Sequence, residues 1–331
     1  MSEHERQLPA GDAHEPVPPI GPWFSIIIPV WNRAGTIRRC LDSVLAQSFQ
    51  DFEIVAVDGA SADASFEVMR EYTDKRVRLF RHEKNRGMVA ARWTAITNAR
   101  GRWIVQLDSD DALMEGALER FHRMALEASP AVGVIAMPFV YDDGSVSPVP
   151  AFPEGDVGFE GWLKWLDGAT RVDFLFCYRR AVFEEIHMCT DGRHAQQFMM
   201  QLISRWKMRV DLEPGGLVYS DAPNPLHDRL VLVSTSTKQA HARCAEEILA
   251  EFGPIIRRLA PRRYRRLHFE AGWWYLWAGD RRRGARWMLK YLVQCPFSWL
   301  GWGSLVLGFM GPGALLWARQ WSRRRRGAAT A

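Results

Sequence analysis

Cysteine is sparse, and its spacing supports neither a metal site nor a disulfide framework. Cys40, Cys177, Cys189, Cys244 and Cys295 are scattered, and no pair has CxxC spacing. An odd, dispersed set argues against a structural zinc site or a disulfide framework and fits a reducing compartment. No GxGxxG follows the first apolar run, and GxxxxGK[ST] occurs nowhere. A dinucleotide-binding Rossmann domain and a P-loop enzyme are thereby disfavoured. Residues 1–22 lack the basic-then-apolar pattern of a secretory signal. They are polar and rich in Pro, Glu and His, and read as a disordered arm.

What is present is an apolar body and a basic end. The 331 residues are 47% apolar, enough for one large domain or two smaller ones. The net charge of +5 conceals an asymmetry. From Arg257 onward, fifteen Arg and one Lys face only Glu270 and Asp280, so the preceding body is acidic. Eight of the fifteen Trp lie in the same basic end. Basic residues interleaved with Trp suit an anionic membrane surface better than a nucleic-acid groove. A nucleic-acid partner is not expected, since it would need a basic rim on the body.

Phe24 to Ile28 is a short, β-branched apolar run that reads as a buried strand. Ile37, Cys40, Leu41, Val44 and Leu45 then recur at helical spacing. A strand over Phe52 to Val57 ends in Asp58-Gly59. The pattern continues as a helix near Ala64 to Tyr72, a strand over Val77 to Phe80 and a helix over Met88 to Asn98. After Gly101 come a strand over Trp103 to Leu107, a helix over Glu115 to Glu127 and a strand over Val132 to Met137. Such alternation implies parallel βαβ units, with ligands outside the carboxyl ends of the strands. Gly144 to Gly158 reads as a loop, Arg171 to Val233 as mixed short elements, and the chain after Thr237 as helical.

The strand over Trp103 to Leu107 runs into Asp108-Ser109-Asp110-Asp111. Repulsion and desolvation oppose that much negative charge at a buried strand's end. Two carboxylates one residue apart can hold Mn²⁺ or Mg²⁺, which takes one or two protein carboxylates and then substrate phosphates. The alternative is a solvated turn or helix cap.

Four segments narrow the choice: SIIIPVWN (Ser25–Asn32), CLDSVLAQSFQDFEIVAVDGASAD (Cys40–Asp63), NRGMVAARWTAI (Asn85–Ile96) and GRWIVQLDSDDAL (Gly101–Leu113). In this order and spacing the chain resembles the inverting family-2 glycosyltransferases (GT2) of the GT-A fold. The likeness is close from Phe24 to Asp111 and looser to Ser234. It implies an α/β fold, a Rossmann-like, mostly parallel sheet flanked by helices, followed by a helical apolar and basic C-terminal region. The implied organisation is the arm at 1–22, a catalytic domain at 23–235 and a membrane-associated tail at 236–331. The catalytic domain would divide into a nucleotide-binding half at 23–140 and an acceptor half at 141–235.

The resemblance also implies roles. Pro29, Val30, Trp31 and Asn32 would line the nucleotide base. Asp58 matches the first Asp of the family's DDGS motif, which helps hold the base and ribose, with Gly59 in place of the second. Arg92 matches an Arg near the nucleotide. Asp108 and Asp110 match the DxD pair, Asp110 as direct metal ligand and Asp108 shared between ribose and metal. An inverting transfer needs a carboxylate base, in the family the Asp of an ED pair opening a helix after an RR segment. Arg179-Arg180 supplies the RR, but the chain reads TDGRHAQQF where ED would stand. Asp191 is the candidate base, with a loop or capping role as its alternative; His194 and Asp173 are the other candidates. His227 matches a late His that completes the metal shell in many relatives, or is a solvated loop residue.

The implied partners are a nucleotide-sugar, a UDP-sugar first, and a glycan or lipid-linked acceptor of bacterial-type surface polysaccharide synthesis. The implied location is the cytoplasm, on the inner face of the cell membrane. Tyr291 to Trp317 carries no charge but contains five Gly and two Pro, so a continuous helix is not expected. Two short interfacial helices, a true span, and packing on the domain remain alternatives. A non-catalytic relative that keeps the nucleotide site but lacks a base is the alternative function. A nucleotidyltransferase is disfavoured because PVWNRAG is a poor phosphate loop.

Overall fold

The computed structural model describes residues 21–187, 195–221 and 234–311. The chain runs through β1 (Phe24–Val30), α1 (Ile37–Leu45), β2 (Phe52–Asp58), α2 (Ser65–Arg70), β3 (Val77–Arg81), α3 (Met88–Asn98), β4 (Trp103–Gln106), β5 (Ala112–Leu113) and α4 (Ala117–Glu127). It continues through β6 (Val132–Tyr141), β7 (Val146–Ser147), β8 (Gly155–Val157), α5 (Phe159–Gly168), β9 (Phe174–Arg179), α6 (Val182–Glu185), α7 (Ala195–Arg205), β10 (Lys207–Val210) and β11 (Gly216–Val218). Four helices follow: α8 (Thr235–Leu259), α9 (Pro261–Trp277), α10 (Arg281–Gln294) and α11 (Trp299–Met310).

The main sheet has the order β3-β2-β1-β4-β9-β6-β10-β8. β3, β2, β1 and β4 are parallel, as the βαβ pattern predicts. β9 runs antiparallel between β4 and β6, which sequence alternation did not indicate. β1 and β2 are buried along their whole length, so neither shows a polar face. Their side chains instead divide between two cores. Ile27, Val55 and Ile104 face α3, while Ile26, Ile28, Ile54 and Val105 pack with Ile37, Leu41 and Val44 of α1. Each such residue, fully buried, contributes about 1.5–3 kcal/mol. Gly101 is needed where the chain enters β4: a Cβ there would lie 2.5 Å from the Ser25 backbone nitrogen.

β6 extends to Tyr141, past the expected end at Met137. Pro138 stands where the strand changes partners. Up to Pro138 it pairs with β9, and from Phe139 it pairs with β7 and β11. A residue without an N–H is tolerated at such a break in the ladder. The stretch expected as a loop at Gly144 to Gly158 holds the short strands β7 and β8.

The hydrophobic core continues past residue 235. Ile248, Phe252 and Ile256 of α8 and Leu267 and Ala271 of α9 belong to the same cluster as Leu163 of α5 and Leu202 of α7. α10 adds Met288 and Leu292, which pack on Leu276 and Trp277 of α9. The uncharged stretch from Tyr291 breaks as expected: α10 ends at Gln294, and Ser298 Oγ caps α11 by accepting from the Gly301 N–H at 3.1 Å. Among the described residues, no helix is long and apolar enough to cross a membrane.

Candidate active site

β1 and β2 end side by side, Val30 beside Asp58. β4 lies on β1's other side, so the chain reverses its strand order at β1, and a crevice opens there. A cleft of about 860 Å³ occupies it. Pro29, Val30, Trp31, Arg92, Asp108 and Asp110 all line this cleft.

Asn32 and Asp58 stand behind the wall. Asn32 adopts a left-handed backbone (φ 52°), which Asn tolerates. Its N–H donates to Ser61 Oγ at 2.9 Å, and its Oδ1 accepts from the Ala62 N–H at 2.9 Å. Asp58 is fully buried, accepts from the Ser61 N–H at 3.2 Å and pairs with Arg81 Nε at 3.1 Å. Together they lock the loop after β2 to the loop after β1. Gly59, at the position of the family's second Asp, reaches the cleft wall. Replacing Asp58 with Ala strands the Ser61 N–H and frees Arg81 to water. The expected loss is about 1–3 kcal/mol, read as a lower urea midpoint with unchanged slope.

Three hydrogen bonds hold the acidic turn. Thr36 Oγ1 donates to the Ser109 carbonyl at 3.0 Å, and Arg39 Nη2 donates to the Asp110 carbonyl at 3.2 Å. The Asp111 N–H closes the turn on the Asp108 carbonyl at 3.1 Å. The charges have specific partners. Arg92, buried on α3, donates through Nη2 to Asp108 Oδ1 at 2.5 Å. Arg33, just beyond β1, pairs with Asp110 Oδ2 at 3.1 Å. Asp111 remains overloaded with negative neighbours. Burial first, then the charges of Asp108, Asp110 and Asp173, push its carboxyl up to about 8.

The donor set suits a hard divalent cation. The Asp108 and Asp110 side chains are 41% and 26% exposed and offer only oxygen. Among the described residues no three Asp, Glu, His or Cys groups converge as a self-sufficient metal site. Two carboxylates with the remaining positions taken by phosphate oxygens and water is an ordinary Mg²⁺-type arrangement. A bound cation would offset the negative charge that Asp108, Asp110 and Asp111 gather at the end of β4.

Across the cleft, Asp173 precedes β9 and lines the wall with Tyr141 and Phe174. Tyr141 Oη donates to Asp173 Oδ2 at 2.8 Å, and Ser147 Oγ accepts from the Asp173 N–H at 2.9 Å. Asp191, His194 and His227 lie outside the described residues. Sequence reasoning missed Arg33, although a lone Arg directly after the first strand, opposite an acidic turn, was a usable signal. It also missed Tyr141, which lies four residues past the expected strand end at Met137.

Residues 25–187 match the profile described as Glycosyl transferase family 2. The succinoglycan biosynthesis protein ExoO of Rhizobium meliloti is 39% identical over 123 residues, 37% of this chain and 35% of ExoO. The glycosyltransferase GlyA of Streptococcus pneumoniae is 34% identical over 113 residues, 34% of this chain and 16% of GlyA. The chain thus spans well under half the length of these curated relatives. Among solved structures, S. aureus TarS in complex with UDP-GlcNAc superposes with a TM-score of 0.62 at 21% identity, over 80% of this chain and 83% of that one. The mannosyltransferase PcManGT of Pyrobaculum calidifontis, in complex with GDP-Man and Mn2+, gives 0.52 at 17% identity, over 90% of this chain and 83% of that one. At these identities the likeness is one of fold, and the fold is the GT-A architecture that the motifs implied. Just under half of the chain, residues 25–187, thus matches glycosyltransferase family 2, a family of transferases.

Proposed function

We propose that the protein transfers a sugar from a nucleotide-sugar, a UDP-sugar first, to a glycan or lipid-linked acceptor with inversion, in surface polysaccharide synthesis. The observation that carries this is the Asp108 and Asp110 pair at the end of β4, which opens on the cleft beside Arg33 and Arg92. The ExoO relative, a succinoglycan biosynthesis protein, supports the polysaccharide reading, and the TarS neighbour with UDP-GlcNAc supports the donor. PcManGT, with GDP-Man and Mn2+, supports a divalent cation.

Pro29, Val30 and Trp31 wall the nucleotide base, and Asn32 and Asp58 hold the loops that frame it. Asp108 and Asp110 hold Mn²⁺ or Mg²⁺, and His227 is a candidate to complete the shell. A cation held there would supply positive charge for the departing diphosphate. Arg92 and Arg33 fix the two carboxylates and bring fixed positive charge to the leaving group.

The base is a carboxylate that accepts the acceptor hydroxyl's proton, and two residues compete for the role. Asp173 is the one carboxylate outside the acidic turn among the described cleft residues; Asp191 stands nearest the family's ED position. The presence of Asp173 in the same cleft as the acidic turn favours an enzyme over a non-catalytic scaffold. The basic, Trp-rich end is proposed to meet an anionic membrane surface at the cytoplasmic face.

A panel of UDP- and GDP-sugars with Mn²⁺, read as nucleoside diphosphate release with and without acceptor lipids, tests the activity. Asp173→Asn and Asp191→Asn assign the base. The true base loses about 10²–10⁴-fold in turnover with nucleotide affinity unchanged. If both variants match an active wild type, the base is neither residue; if nucleotide binds but no donor turns over, the scaffold reading replaces this one.

A further inference from the structure

α11 is packed inside out. Its buried residues are Gly301, Ser304 and Gly308, one stripe at helical spacing. The fit is close: a Cβ at Gly308 would lie 2.7 Å from Leu276 Cδ2, and one at Gly301 would lie 2.8 Å from Leu292 Cδ2. The bulky residues point the other way. Trp299 is 83% exposed, and Leu300, Trp302, Val306, Phe309 and Met310 are exposed beside it. In the turn before α11, Phe297 is 96% exposed, and Val293 at the end of α10 is 83% exposed. A helix solvated by water places its small and polar residues outward. Small residues against neighbouring helices with large apolar residues outward is the arrangement of a helix solvated by lipid.

The charge beside this face is of one sign. On α10 the exposed positions include Arg282, Arg286 and Lys290, which lead along one side of the helix to Val293 and Phe297. α11 contains no charged residue at all. At 1.5 Å per residue, Arg286 stands about 10 Å above Val293 along the axis. That separation matches an apolar surface sunk about 5–10 Å into the boundary of headgroups and acyl chains, with guanidinium groups left at the phosphates.

We infer that the α10–α11 hairpin is a monotopic docking surface for an anionic lipid bilayer, with Phe297 and Trp299 at its tip and Arg282, Arg286 and Lys290 at headgroup level. This deepens the membrane reading above by naming the face, and it rests on that reading. It does not depend on turnover.

The test is flotation of the full-length protein with vesicles of phosphatidylcholine alone or with 30% phosphatidylglycerol, at low and high salt. Sedimentation analysis without lipid runs alongside. The variants are Phe297→Ser with Trp299→Ser, and Arg282→Glu with Arg286→Glu. All four side chains are exposed, and circular dichroism checks the fold. Binding to anionic vesicles is expected to exceed binding to neutral ones and to weaken with salt. It should fall at least tenfold in either double variant. Wild-type flotation that the Ser variant leaves unchanged overturns the named face but not the membrane reading. Failure of the wild type to float overturns both. A concentration-dependent dimer that the Ser variant dissolves overturns the lipid assignment in favour of a second copy.

Discussion

Asp110→Ala is expected to lower sugar-nucleotide turnover by about 10²–10³-fold, the loss typical of removing one fixed stabiliser of developing charge. The folded protein should survive the change. Asp110 is partly exposed, and its partner Arg33 sits at the cleft edge, where water and substrate phosphate can reach it. Removing the charge also relieves Asp111, whose carboxyl is pushed up by burial and by its acidic neighbours. The sign follows from linkage. A carboxyl raised to about 8 when folded, against about 3.9 when unfolded, stabilises fully only below the unfolded value. Without bound cation, stability is therefore lost as pH rises from about 4 towards about 8, and Asp110→Ala should flatten that loss. Thermal melts across this range, beside turnover assays, separate the two effects. A variant that melts early and turns over normally would mark Asp110 as structural.

Glu53→Ala should produce the largest stability loss, at the opposite end of the sheet. Glu53 opens β2, is buried, and accepts from Ser25 Oγ at 2.7 Å, from the Arg100 N–H at 2.6 Å and from Arg78 Nη1 at 2.7 Å. The same Ser25 Oγ accepts from the Gly101 N–H at 2.8 Å. One carboxylate thus joins β1, β3 and the loop that feeds β4. Removing it leaves a buried hydroxyl, a backbone N–H and a guanidinium short of partners. The expected loss is about 3–5 kcal/mol, a large share of a typical domain's 5–15. Urea denaturation measures it. Glu53→Gln keeps an acceptor and should lose less. A loss under about 1 kcal/mol for the Ala variant would mean that water replaces the carboxylate.

The parallel half of the sheet was legible because its signals are local. Apolar runs, the α1 stripe and the spacing of the acids all fall within single elements or between chain neighbours. β9 was not legible: FLFCYR is compatible with either strand direction, and its place between β4 and β6 is set by long-range pairing. In the cleft, the acids were visible as an anomaly in the sequence. Their pairing with Arg33 and Arg92 was not, because those residues lie 77 and 16 positions from the carboxylates they meet, and only the fold closes those distances. Asp58 was singled out on its motif, yet its side chain braces a loop from behind the cleft wall. A motif gives a residue's place in the chain, not which side of a wall it takes.

The central claim is that the acidic turn, a divalent cation and a nucleoside diphosphate form one site. The most direct measurement is calorimetric titration of UDP and GDP into the full-length protein, with Mn²⁺ and with chelator, for the wild type and Asp110→Ala. Saturable binding at one site per chain is expected, weakened at least tenfold by chelation and to a similar extent by Asp110→Ala. Equal affinity with and without metal, or no binding of either nucleotide, would contradict it.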